Sequence, residues 1–267
     1  MKPVSMAQQS SEETAKMQNL PISIATEPPK PIASYTELAG APSKPWGTKR
    51  PFCERLRVFE EYILAHLEEI RCPVHLSLGQ ELVSEAIHRN ILKGDWLFST
   101  HRNHGHYLAK GGSEDRLWDE ICGLETGINR GMAGSQCFSD PAINFHASSI
   151  VGGSIGIAVG AAFSLKGSGN LVVCCLGDAA TEQGVFWEAL NFSALKKLPI
   201  FFICENNRLS IDVPIVERQT VGITRRVKTW IEIAPTIKQG FEMGRIAPMF
   251  HEAFVTREGK HCYFQKK

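Results

Sequence analysis

The sequence lacks a long uninterrupted apolar run. A membrane-spanning helix needs about 18 or more consecutive apolar residues, and the stretch that comes nearest, residues 150–165, is interrupted by glycines. Gly152, Gly153, Gly156 and Gly160 recur mostly at three- and four-residue steps. This spacing predicts a buried helix that packs closely against another element or another subunit. We therefore expect no membrane partner.

The sequence also lacks an excess of charge of one sign. It contains 29 Lys and Arg residues against 28 Asp and Glu residues, which gives a formal net charge of +1. Proteins that bind nucleic acids or acidic membrane surfaces usually gather a basic excess on one face, so we expect no nucleic-acid partner. The 267 residues are 43% hydrophobic, which is typical of a globular chain with one large core or two small ones.

The eight cysteines lack the spacing of a metal site. Cys174, Cys175 and Cys204 lie in apolar runs that predict buried strands, so we interpret them as small hydrophobic residues in a reducing compartment. The first residues also lack the apolar core of a secretory signal and the early arginines of an organelle transit peptide. Together these features indicate a cytoplasmic protein.

Two regions of the chain differ in composition. Residues 1–49 are rich in Pro, Ser, Gln and Lys, which predicts a disordered N-terminal extension. Residues 50–267 predict a single α/β domain. It begins with an amphipathic helix over residues 52–70 and continues with a turn and a second helix over residues 73–92, because apolar residues recur there at helical spacing.

The centre of this domain is a strand–helix–strand pattern over residues 171–207. Residues 171–176 and 200–204 are short continuous apolar runs, typical of strands buried on both faces of a parallel sheet. The residues between them have the apolar period of a helix. A right-handed crossover leaves two such strands parallel, so Asp178 and Asn207 are expected at the same edge of the sheet.

The carboxyl edge of an open parallel sheet is where α/β proteins bind ligands. Asp178 offers a carboxylate, Asn207 offers a carboxamide, and the helix between the strands offers its amino end. These groups suit Mg²⁺ bound to phosphate, because Mg²⁺ takes few protein ligands and leaves the others to phosphate oxygens and water. The alternative is that Asp178 only caps the helix and that Asn206 and Asn207 form a turn.

The spacing of Gly177-Asp178 and Asn206-Asn207 resembles the thiamine diphosphate signature. Residues around these pairs resemble the alpha subunit of the first component of 2-oxo acid dehydrogenases, of the pyruvate, branched-chain 2-oxo acid or acetoin type. The residues that carry this resemblance are His75-Leu76, Gly79-Gln80-Glu81, Glu188-Ala189, Asn191, Ala194-Leu195, Leu198-Pro199 and Cys204-Glu205. The resemblance implies a thiamine diphosphate-binding α/β fold, with a parallel sheet and helices on both faces.

By this resemblance, Asp178, the side chain of Asn207 and the carbonyl of Leu209 hold Mg²⁺ against the diphosphate. The residues implied in contacts to thiamine diphosphate are His101, Arg102, Ser149, Val151, Gly177, Asp178, Ala179, Ala180 and Asn207. One position departs from the family, which has glycine where this chain has Ala179. If this position needs a positive φ angle, alanine costs on the order of 1 kcal/mol and weakens the site.

Arg102 is surrounded in the sequence by His101, His104 and His106. The planar fork of Arg102 suits phosphate oxygens, and the resemblance carries the diphosphate contact onto Arg102 and extends it to His101 and His104. The resemblance also makes His75 and His104 the catalytic candidates. A zinc site on the three histidines near Arg102 is a less favoured alternative, because no acidic or Cys partner follows at the usual spacing. A solvated loop is another alternative.

Residues 127–140 predict a Gly-rich loop in which the family's histidine is replaced by Cys137. An isolated cysteine without a visible base is usually inert, so Cys137 is not expected to be a nucleophile. Farther along, residues 149–152 match an Ile-Val-Gly stretch of the family. By resemblance, the backbone of this stretch lies against the aminopyrimidine ring of the cofactor.

The resemblance fades after Gln219. The pattern predicts irregular structure and helices over residues 221–246, a helix over residues 247–256 and the start of a strand over residues 261–264. The family carries a histidine beside the thiazolium ring, in a loop after its closing strand. Because the chain ends at Lys267, we expect a domain that is truncated at its carboxyl terminus and lacks this histidine.

The resemblance implies an oxidoreductase that depends on thiamine diphosphate and Mg²⁺. It would decarboxylate a 2-oxo acid and transfer the acyl group to the lipoyl group, a disulfide acceptor, of an acyltransferase. It also implies a beta subunit in an α2β2 heterotetramer. Because the beta subunit supplies the glutamate that activates the cofactor, the isolated chain should be inactive.

Two alternatives accompany this reading. Acetoin cleavage or a transketolase-like transfer would use the same cofactor contacts and differ only in the substrate pocket. A catalytically inactive, truncated assembly subunit is favoured by Ala179, by Cys137 and by the short carboxyl terminus.

Overall fold

The computed structural model describes residues 45–46 and 50–264. The predicted disordered extension, residues 1–49, therefore lies outside the described residues except for Pro45 and Trp46. The Trp46 ring packs edge-on against Phe59 and Tyr62, with ring centroids 5.1 and 5.0 Å apart. Packing of the described domain thus includes a residue that precedes the predicted boundary at residue 50.

In the described part of the chain, seven strands form the main sheet. They are β1 (Trp96–Ser99), β2 (Ser139–Asp140), β3 (Phe145–Ala147), β4 (Val172–Gly177), β5 (Ile200–Asn206), β8 (Glu232–Ile233) and β9 (Met249–Phe254). Their spatial order is β2-β3-β1-β4-β5-β9-β8, and neighbouring strands are parallel except β2 with β3. A separate antiparallel pair, β6 (Leu209–Ser210) and β7 (Val213–Pro214), follows β5.

The helices cover both faces of this sheet. They are α1 (Phe52–Ala65), α2 (Glu81–Asn90), α3 (His104–Ala109), α4 (Glu114–Ile121), α5 (Gly153–Ser164), α6 (Gly184–Lys196), α7 (Ile223–Val227) and α8 (Ile237–Met243). Short 3-10 turns occupy Leu67–Glu69, Pro141–Ile143, Asp178–Glu182 and Ile215–Glu217. The first helix is therefore shorter than predicted, because it ends at Ala65 and only a 3-10 turn follows.

The strands are buried on both faces, as their continuous apolar runs predict. Along β4, Val173 and Cys175 pack into one core, and Val172 and Cys174 pack into the other. Helices α1, α2, α4 and α8 cover the first core, and helices α5, α6 and α7 cover the second. This arrangement confirms the α/β fold with helices on both faces. Cys174, Cys175 and Cys204 are buried free thiols, which confirms their interpretation as small hydrophobic residues.

The strand–helix–strand unit forms as predicted. β4 and β5 are parallel, α6 connects them, and Gly177 lies opposite Glu205 in the register. The residues that follow these two strands, Asp178 and Asn207, therefore lie at the same edge of the sheet.

Two predictions for the carboxyl-terminal part are wrong. Residues 247–256 contain strand β9 rather than a helix, because this segment pairs with the free edge of β5, where Phe201 lies opposite Met249. Pairing across a sheet overrides the local apolar period. Residues 261–264 form only an isolated bridge, in which Tyr263 and Val74 exchange backbone hydrogen bonds.

Helix α5 contains the glycine-rich segment that predicts a buried helix, but only one of its faces is buried within this chain. Ile155, Ala158 and Ala162 pack into the second core, whereas Ile157 and Phe163 are 53% and 54% exposed. Among the described residues, none of the helices combines the length and the apolar character that crossing a membrane requires.

Candidate functional site

A cavity of about 290 Å³ opens at the carboxyl edge of the sheet. Segments that follow β1, β3, β4, β5 and β9 form its wall, together with residues that precede α2. Parallel strands carry the chain to the same edge, so segments far apart in the sequence meet there. The cavity therefore lies where the sequence predicts a ligand site.

Nearly all the predicted site residues line this cavity. The wall contains the residues predicted to contact thiamine diphosphate, namely His101, Arg102, Ser149, Val151, Gly177, Asp178, Ala179, Ala180 and Asn207. Leu209, the third predicted Mg²⁺ ligand, and His75, a catalytic candidate, also line the cavity. Of the predicted site residues, only His104 is not in the wall.

The Asp178 carboxylate is buried in the cavity wall and pairs with Arg218. Asp178 is 2% exposed, and its Oδ2 accepts a hydrogen bond from Arg218 Nη2 at 2.5 Å. Arg218 Nη1 donates to Glu182. Burial raises the pKa of Asp178, and the hydrogen bond and charge of Arg218 oppose that shift. Sequence analysis missed Arg218, because neither an apolar period nor a recognised motif marks the segment that carries it.

Asn206 and Asn207 form a turn, which is the alternative to a ligand site that the sequence leaves open. Asn206 Oδ1 accepts a hydrogen bond from the backbone N–H of Arg208 at 2.8 Å, and Asn207 Oδ1 accepts one from that of Leu209 at 2.9 Å. Arg208 has a φ angle of 64°, a left-handed conformation that reverses the chain direction. The turn leaves Asn207 and Leu209 on the cavity wall, so the turn and a ligand site are compatible.

Ala179 carries no penalty for a left-handed backbone. It lies in the 3-10 turn Asp178–Glu182, and it is not one of the described residues with positive φ. The expected cost of alanine therefore does not apply in this structure. At Gly177, a Cβ atom would meet no atom of the chain within 4 Å, so the absence of a side chain leaves space on the cavity side.

Arg102 is a buried cation without a carboxylate partner. It is 7% exposed, and its guanidinium donates to the backbone carbonyls of Leu76 and His261. Among the described residues, no carboxylate lies within ion-pair distance of Arg102. Burial lowers the pKa of Arg102. The charges of Glu60 and Glu205 oppose this shift. A buried positive charge without a direct ion pair is costly, and an anion in the cavity would stabilise it further.

Gln80 contributes an unused hydrogen-bond donor to the same wall. The side chain is 3% exposed, and among the described residues none accepts a hydrogen bond from its Nε2. Buried polar atoms are rarely left without a partner. A ligand with an acceptor atom in the cavity would accept the hydrogen bond that Gln80 Nε2 can donate. In the sequence, Gln80 stands out only as part of the motif that carries the family resemblance.

Three histidines converge in the cavity from distant segments. The ring centroids of His75 and His101 are 4.6 Å apart, those of His75 and His261 are 4.8 Å apart, and those of His101 and His261 are 5.7 Å apart. Burial lowers the pKa of His75 to about 3 and that of His101 to about 4, and nearby histidines and Arg102 act in the same direction. Burial also lowers the pKa of His261. All three imidazoles are thus neutral near pH 7.

His261 adds to the cavity wall a histidine from the segment after β9, which sequence analysis did not assign to the site. The expectation that the family's own loop histidine is missing stays a prediction. β9 runs parallel to β5, so the residues after β9 return to the cavity edge. Tyr263 fixes this segment by pairing with Val74. Sequence analysis missed the contribution of His261 because it predicts a helix over residues 247–256. A helix there would not carry the next residues to the carboxyl edge of the sheet, as strand β9 does.

The three histidines near Arg102 do not share one site. His101 faces the cavity, whereas His104 is fully buried behind it, with Nδ1 3.3 Å from Glu60 Oε2 and Nε2 2.7 Å from Ser135 Oγ. The zinc site on His101, His104 and His106 is therefore absent from the described structure. His104 connects α1 to the Gly-rich loop and does not line the cavity. Its predicted contact with the cofactor and its predicted catalytic role stay predictions.

His106 forms a second buried contact, with a carboxylate that does face the cavity. Its Nε2 lies 3.1 Å from Glu205 Oε2, and its Nδ1 lies 2.8 Å from Ser99 Oγ. Burial opposes charge on His106, but Cys175 and Glu205 outweigh it and raise the pKa of His106 well above its usual value. Glu205 was noted only as part of the matched motif, and the structure adds it to the cavity wall.

The Gly-rich loop is organised by one buried carboxylate. Glu120 accepts four backbone N–H hydrogen bonds, from Asn129, Gly131, Ala133 and Gly134. The loop places Gln136 in the cavity wall, where its Nε2 lies 3.3 Å from His75 Nδ1. Cys137 is exposed and is not part of the wall. It is therefore separated from the polar groups of the cavity that could act as a base toward its thiol.

The polar groups of the wall fall into two chemical sets. Asp178, Asn207 and Leu209 offer carboxylate, amide and carbonyl oxygens, which are the ligands that Mg²⁺ prefers. Arg102 offers a guanidinium that forms no ion pair with a described carboxylate, and Gln80 offers an Nε2 that has no acceptor among the described residues. Both groups suit phosphate or other anionic oxygens. The residues present therefore fit a magnesium-bound diphosphate.

Known proteins resemble the part of the chain that carries this cavity. A family model described as Dehydrogenase E1 component matches residues 55–226. The alpha subunit of acetoin:2,6-dichlorophenolindophenol oxidoreductase of Bacillus subtilis (strain 168) is 41% identical over 137 residues, which cover 50% of this chain and 41% of that protein.

Two pyruvate dehydrogenase subunits show a similar likeness. The E1 component subunit alpha of Porphyra purpurea is 40% identical over 148 residues, which cover 52% of this chain and 43% of that protein. The mitochondrial E1 component subunit alpha of Dictyostelium discoideum is 35% identical over 156 residues, which cover 57% of this chain and 41% of that protein. The chain thus spans less than half the length of each of these relatives.

Proposed function

Since the chain belongs to the dehydrogenase E1 component family and matches its alpha subunits, we propose that its cavity binds thiamine diphosphate with Mg²⁺ and serves a 2-oxo acid dehydrogenase. One observation carries this proposal. Arg102 is a buried guanidinium with no carboxylate of the described residues within ion-pair distance, and it shares one cavity with the oxygen ligands Asp178 and Asn207.

Each set of polar groups has a role in holding the cofactor. Asp178, the Asn207 side chain and the Leu209 carbonyl hold Mg²⁺, which also takes diphosphate oxygens. Arg102 places two N–H groups against the diphosphate. Gly177 leaves room for close approach of the ligand. Val151 lines the cavity, and its backbone would lie beside the ring system of the bound cofactor.

Thiamine diphosphate, when bound, supplies the electron sink for breaking the bond between the carbonyl carbon and the carboxylate of a 2-oxo acid. The residues of this chain orient the reactants and move protons. His75, His101 and His261 are neutral near pH 7, so each can accept a proton or donate its ring N–H inside the cavity. Ile155 and Leu176 add apolar wall, which limits the entry of water.

The full reaction needs partners that this chain does not supply. We propose a beta subunit, in an α2β2 heterotetramer, that provides the glutamate that activates the cofactor. We also propose that the acyl group passes to the lipoyl group of an acyltransferase, with a disulfide as the acceptor. The eight free cysteines support a reducing, cytoplasmic location, which cell fractionation would test.

The exposed face of α5 supports the proposed subunit contact. Within the described part of the chain, a Cβ atom at Gly160 would meet no atom within 4 Å, and one at Gly156 would meet only a Val185 methyl group at 3.9 Å. Ile157 and Phe163 flank these glycines and are about half exposed. Glycines without neighbours beside exposed apolar side chains suit the close approach of a helix from another subunit.

Acetoin oxidation is the second candidate, because the similar Bacillus subtilis protein is named for acetoin. It uses the same cofactor contacts, so the cavity residues do not distinguish it from 2-oxo acid decarboxylation. Turnover of acetoin and of a series of 2-oxo acids by the assembled complex would decide between them. Absence of turnover with every substrate, in a complex that binds the cofactor, would favour the inactive assembly subunit.

Calorimetric titration with thiamine diphosphate, with and without Mg²⁺, tests the binding site directly. Asp178→Asn should abolish the magnesium-dependent part of binding, because Mg²⁺ loses its only charged protein ligand in the proposed set. Asn207→Ala should weaken it less. Glu125→Gln, at a carboxylate whose side chain is 60% exposed, is the matched control and should leave binding unchanged. Parent-like affinity in both site variants would overturn the proposal.

A further inference from the structure

The cavity contains a second group of potential ligands, separate from the oxygen ligands of the proposed Mg²⁺ site. His75 precedes α2, His101 follows β1 and His261 follows β9. One ring nitrogen from each of these histidines lies within 4.8 Å of the others. Three segments far apart in the sequence thus bring three imidazoles to one point.

The ring nitrogens of this cluster are available, unlike those of the neighbouring histidines. In His104 and His106, both ring nitrogens contact protein side chains, including a carboxylate in each case. In the cluster, Gln136 lies 3.3 Å from His75 Nδ1. Among the described residues, no carboxylate pairs with His75, His101 or His261, and no hydrogen-bond partner is found for the ring nitrogens of His101 and His261.

We propose that His75, His101 and His261 form a binding site for a divalent cation of the Zn²⁺ class. Zn²⁺ is commonly bound by three protein nitrogen ligands and one water, and a cavity on one side leaves room for that water. Neutral imidazole suits Zn²⁺, Co²⁺ and related borderline ions, whereas Mg²⁺ prefers oxygen. The cavity would therefore hold two cation sites that differ in ligand chemistry.

The charge of Arg102 sharpens this selectivity. Its guanidinium donates to the carbonyl of His261 at 3.4 Å, so a positive charge stands beside the cluster. This charge repels any cation, and only an ion that forms strong bonds to nitrogen overcomes the repulsion. A cation bound to the three imidazoles would also occupy the lone pairs that proton transfer by these histidines requires, so metal binding and proton transfer exclude each other.

Co²⁺ absorption in the full chain, without thiamine diphosphate and with excess Mg²⁺, tests the site. Co²⁺ reports its ligand geometry in visible absorption and replaces Zn²⁺ at nitrogen sites. We expect one Co²⁺ per chain, with an absorption spectrum that Zn²⁺ removes and Mg²⁺ does not. His261→Ala and His101→Ala should each weaken Co²⁺ binding by about tenfold or more, whether or not the chain binds the cofactor.

His146→Ala is the matched control, because His146 is half-buried and bonded to Ser139 outside the cavity. It should leave the Co²⁺ spectrum unchanged. Circular dichroism must show a parent-like fold for each variant, and His261→Asn serves where His261→Ala fails to fold. Co²⁺ binding that persists unchanged in the His101 and His261 variants overturns the site. So does a strong near-ultraviolet thiolate band, which would assign the metal to a cysteine such as Cys137 or Cys262.

Discussion

Arg218 forms an ion pair with Asp178 of the cavity wall. The Nη2 and Oδ2 atoms are 2.5 Å apart, and the side chains of Arg218 and Asp178 are 11% and 3% exposed. Asp178 is also the carboxylate proposed to bind Mg²⁺. One of the two oxygens of this carboxylate, Oδ2, is thus engaged by a guanidinium in the metal-free chain. Mg²⁺ must displace Arg218 or share the carboxylate with it, so Arg218 and the metal compete for one charge.

Arg218→Gln should lower the thermal stability of the metal-free chain and increase the stabilisation that Mg²⁺ provides. Removing one partner of a buried pair costs about 3 kcal/mol or more, because Asp178 is left without a counter-charge. Mg²⁺ then supplies that charge without displacing an arginine. Thermal unfolding with and without Mg²⁺ measures both effects.

The matched control for this substitution is Arg130→Gln. Arg130 pairs with Glu125 on the surface, with side chains 73% and 60% exposed, and exposed pairs contribute little. Both readouts should stay close to those of the parent chain. If Mg²⁺ stabilises the Arg218 variant no more than the parent, the two cations do not compete.

Arg102→Lys should weaken the binding of thiamine diphosphate although it keeps the positive charge. A lysine ammonium is a point charge and cannot reproduce the two-pronged contact of a guanidinium with a diphosphate. Arg102→Ala should weaken binding further. Calorimetric titration in the same Mg²⁺ concentration compares them with Arg89→Lys, a change at a side chain that is 72% exposed. Unaltered affinity in both Arg102 variants would remove this residue from the site.

Stability should fall as the pH decreases below about 6.5, because of His75 and His101. Burial lowers their pKa from 6.5 to about 3 and about 4 in the folded chain. In the unfolded chain both histidines regain the ordinary pKa of 6.5. Between that pH and the lowered pKa values, the unfolded chain binds more protons than the folded chain, so stability is lost as the pH falls through this interval. Each histidine contributes up to about 1.4 kcal/mol per pH unit.

Urea unfolding between about pH 7.5 and about pH 5 measures this dependence. In His101→Gln the slope of the unfolding free energy against pH should decrease, because one of the two groups no longer titrates. A slope equal to that of the parent chain would show that His101 does not stay neutral in the folded state.

Gly160→Leu should weaken association with the proposed beta subunit and leave the isolated chain folded. A Cβ atom at Gly160 would meet no atom of the described residues within 4 Å, and leucine favours a helix over glycine by roughly 1 kcal/mol. In the complex, leucine would hold a partner helix away. Size-exclusion chromatography with light scattering measures the assembly.

Leu82→Ser is the control for this association experiment. Leu82 is 79% exposed on α2, which covers the other core. It should assemble like the parent chain. Parent-like assembly of Gly160→Leu as well would place the subunit contact on a surface other than α5.

The position of the site follows from short-range features of the sequence. Two continuous apolar runs with a helical segment between them predict two strands joined by a helix. Because such a connection is right-handed and leaves the strands parallel, it places Asp178 and Asn207 at one edge of the sheet. Asp178 and Asn207 can therefore be identified from the local sequence, without knowledge of contacts between distant residues. The same holds for Arg102, which follows β1 in a recognisable motif.

The remaining residues depend on contacts that the local pattern does not contain. Arg218 meets Asp178 across 40 residues, and the partners of His104 lie 44 and 31 residues away from it. His261 reaches the cavity only because β9 takes the free edge of β5. The apolar residues of β9 suit a helix as well as a strand, and sheet pairing makes the choice.

The distance along the chain between His75 and His261 bears on when the cavity becomes able to hold the proposed cofactor. During synthesis, the segment with His75 leaves the ribosome long before β9 and His261 do. The bridge between Val74 and Tyr263 joins these two ends of the wall, so the cavity closes only after the late segment has docked. Contacts of such long range form slowly. Only newly made chains that have completed folding would therefore bind the proposed cofactor. A ligand present at a concentration of a hundred times its dissociation constant would add about 2.7 kcal/mol to the stability of these chains.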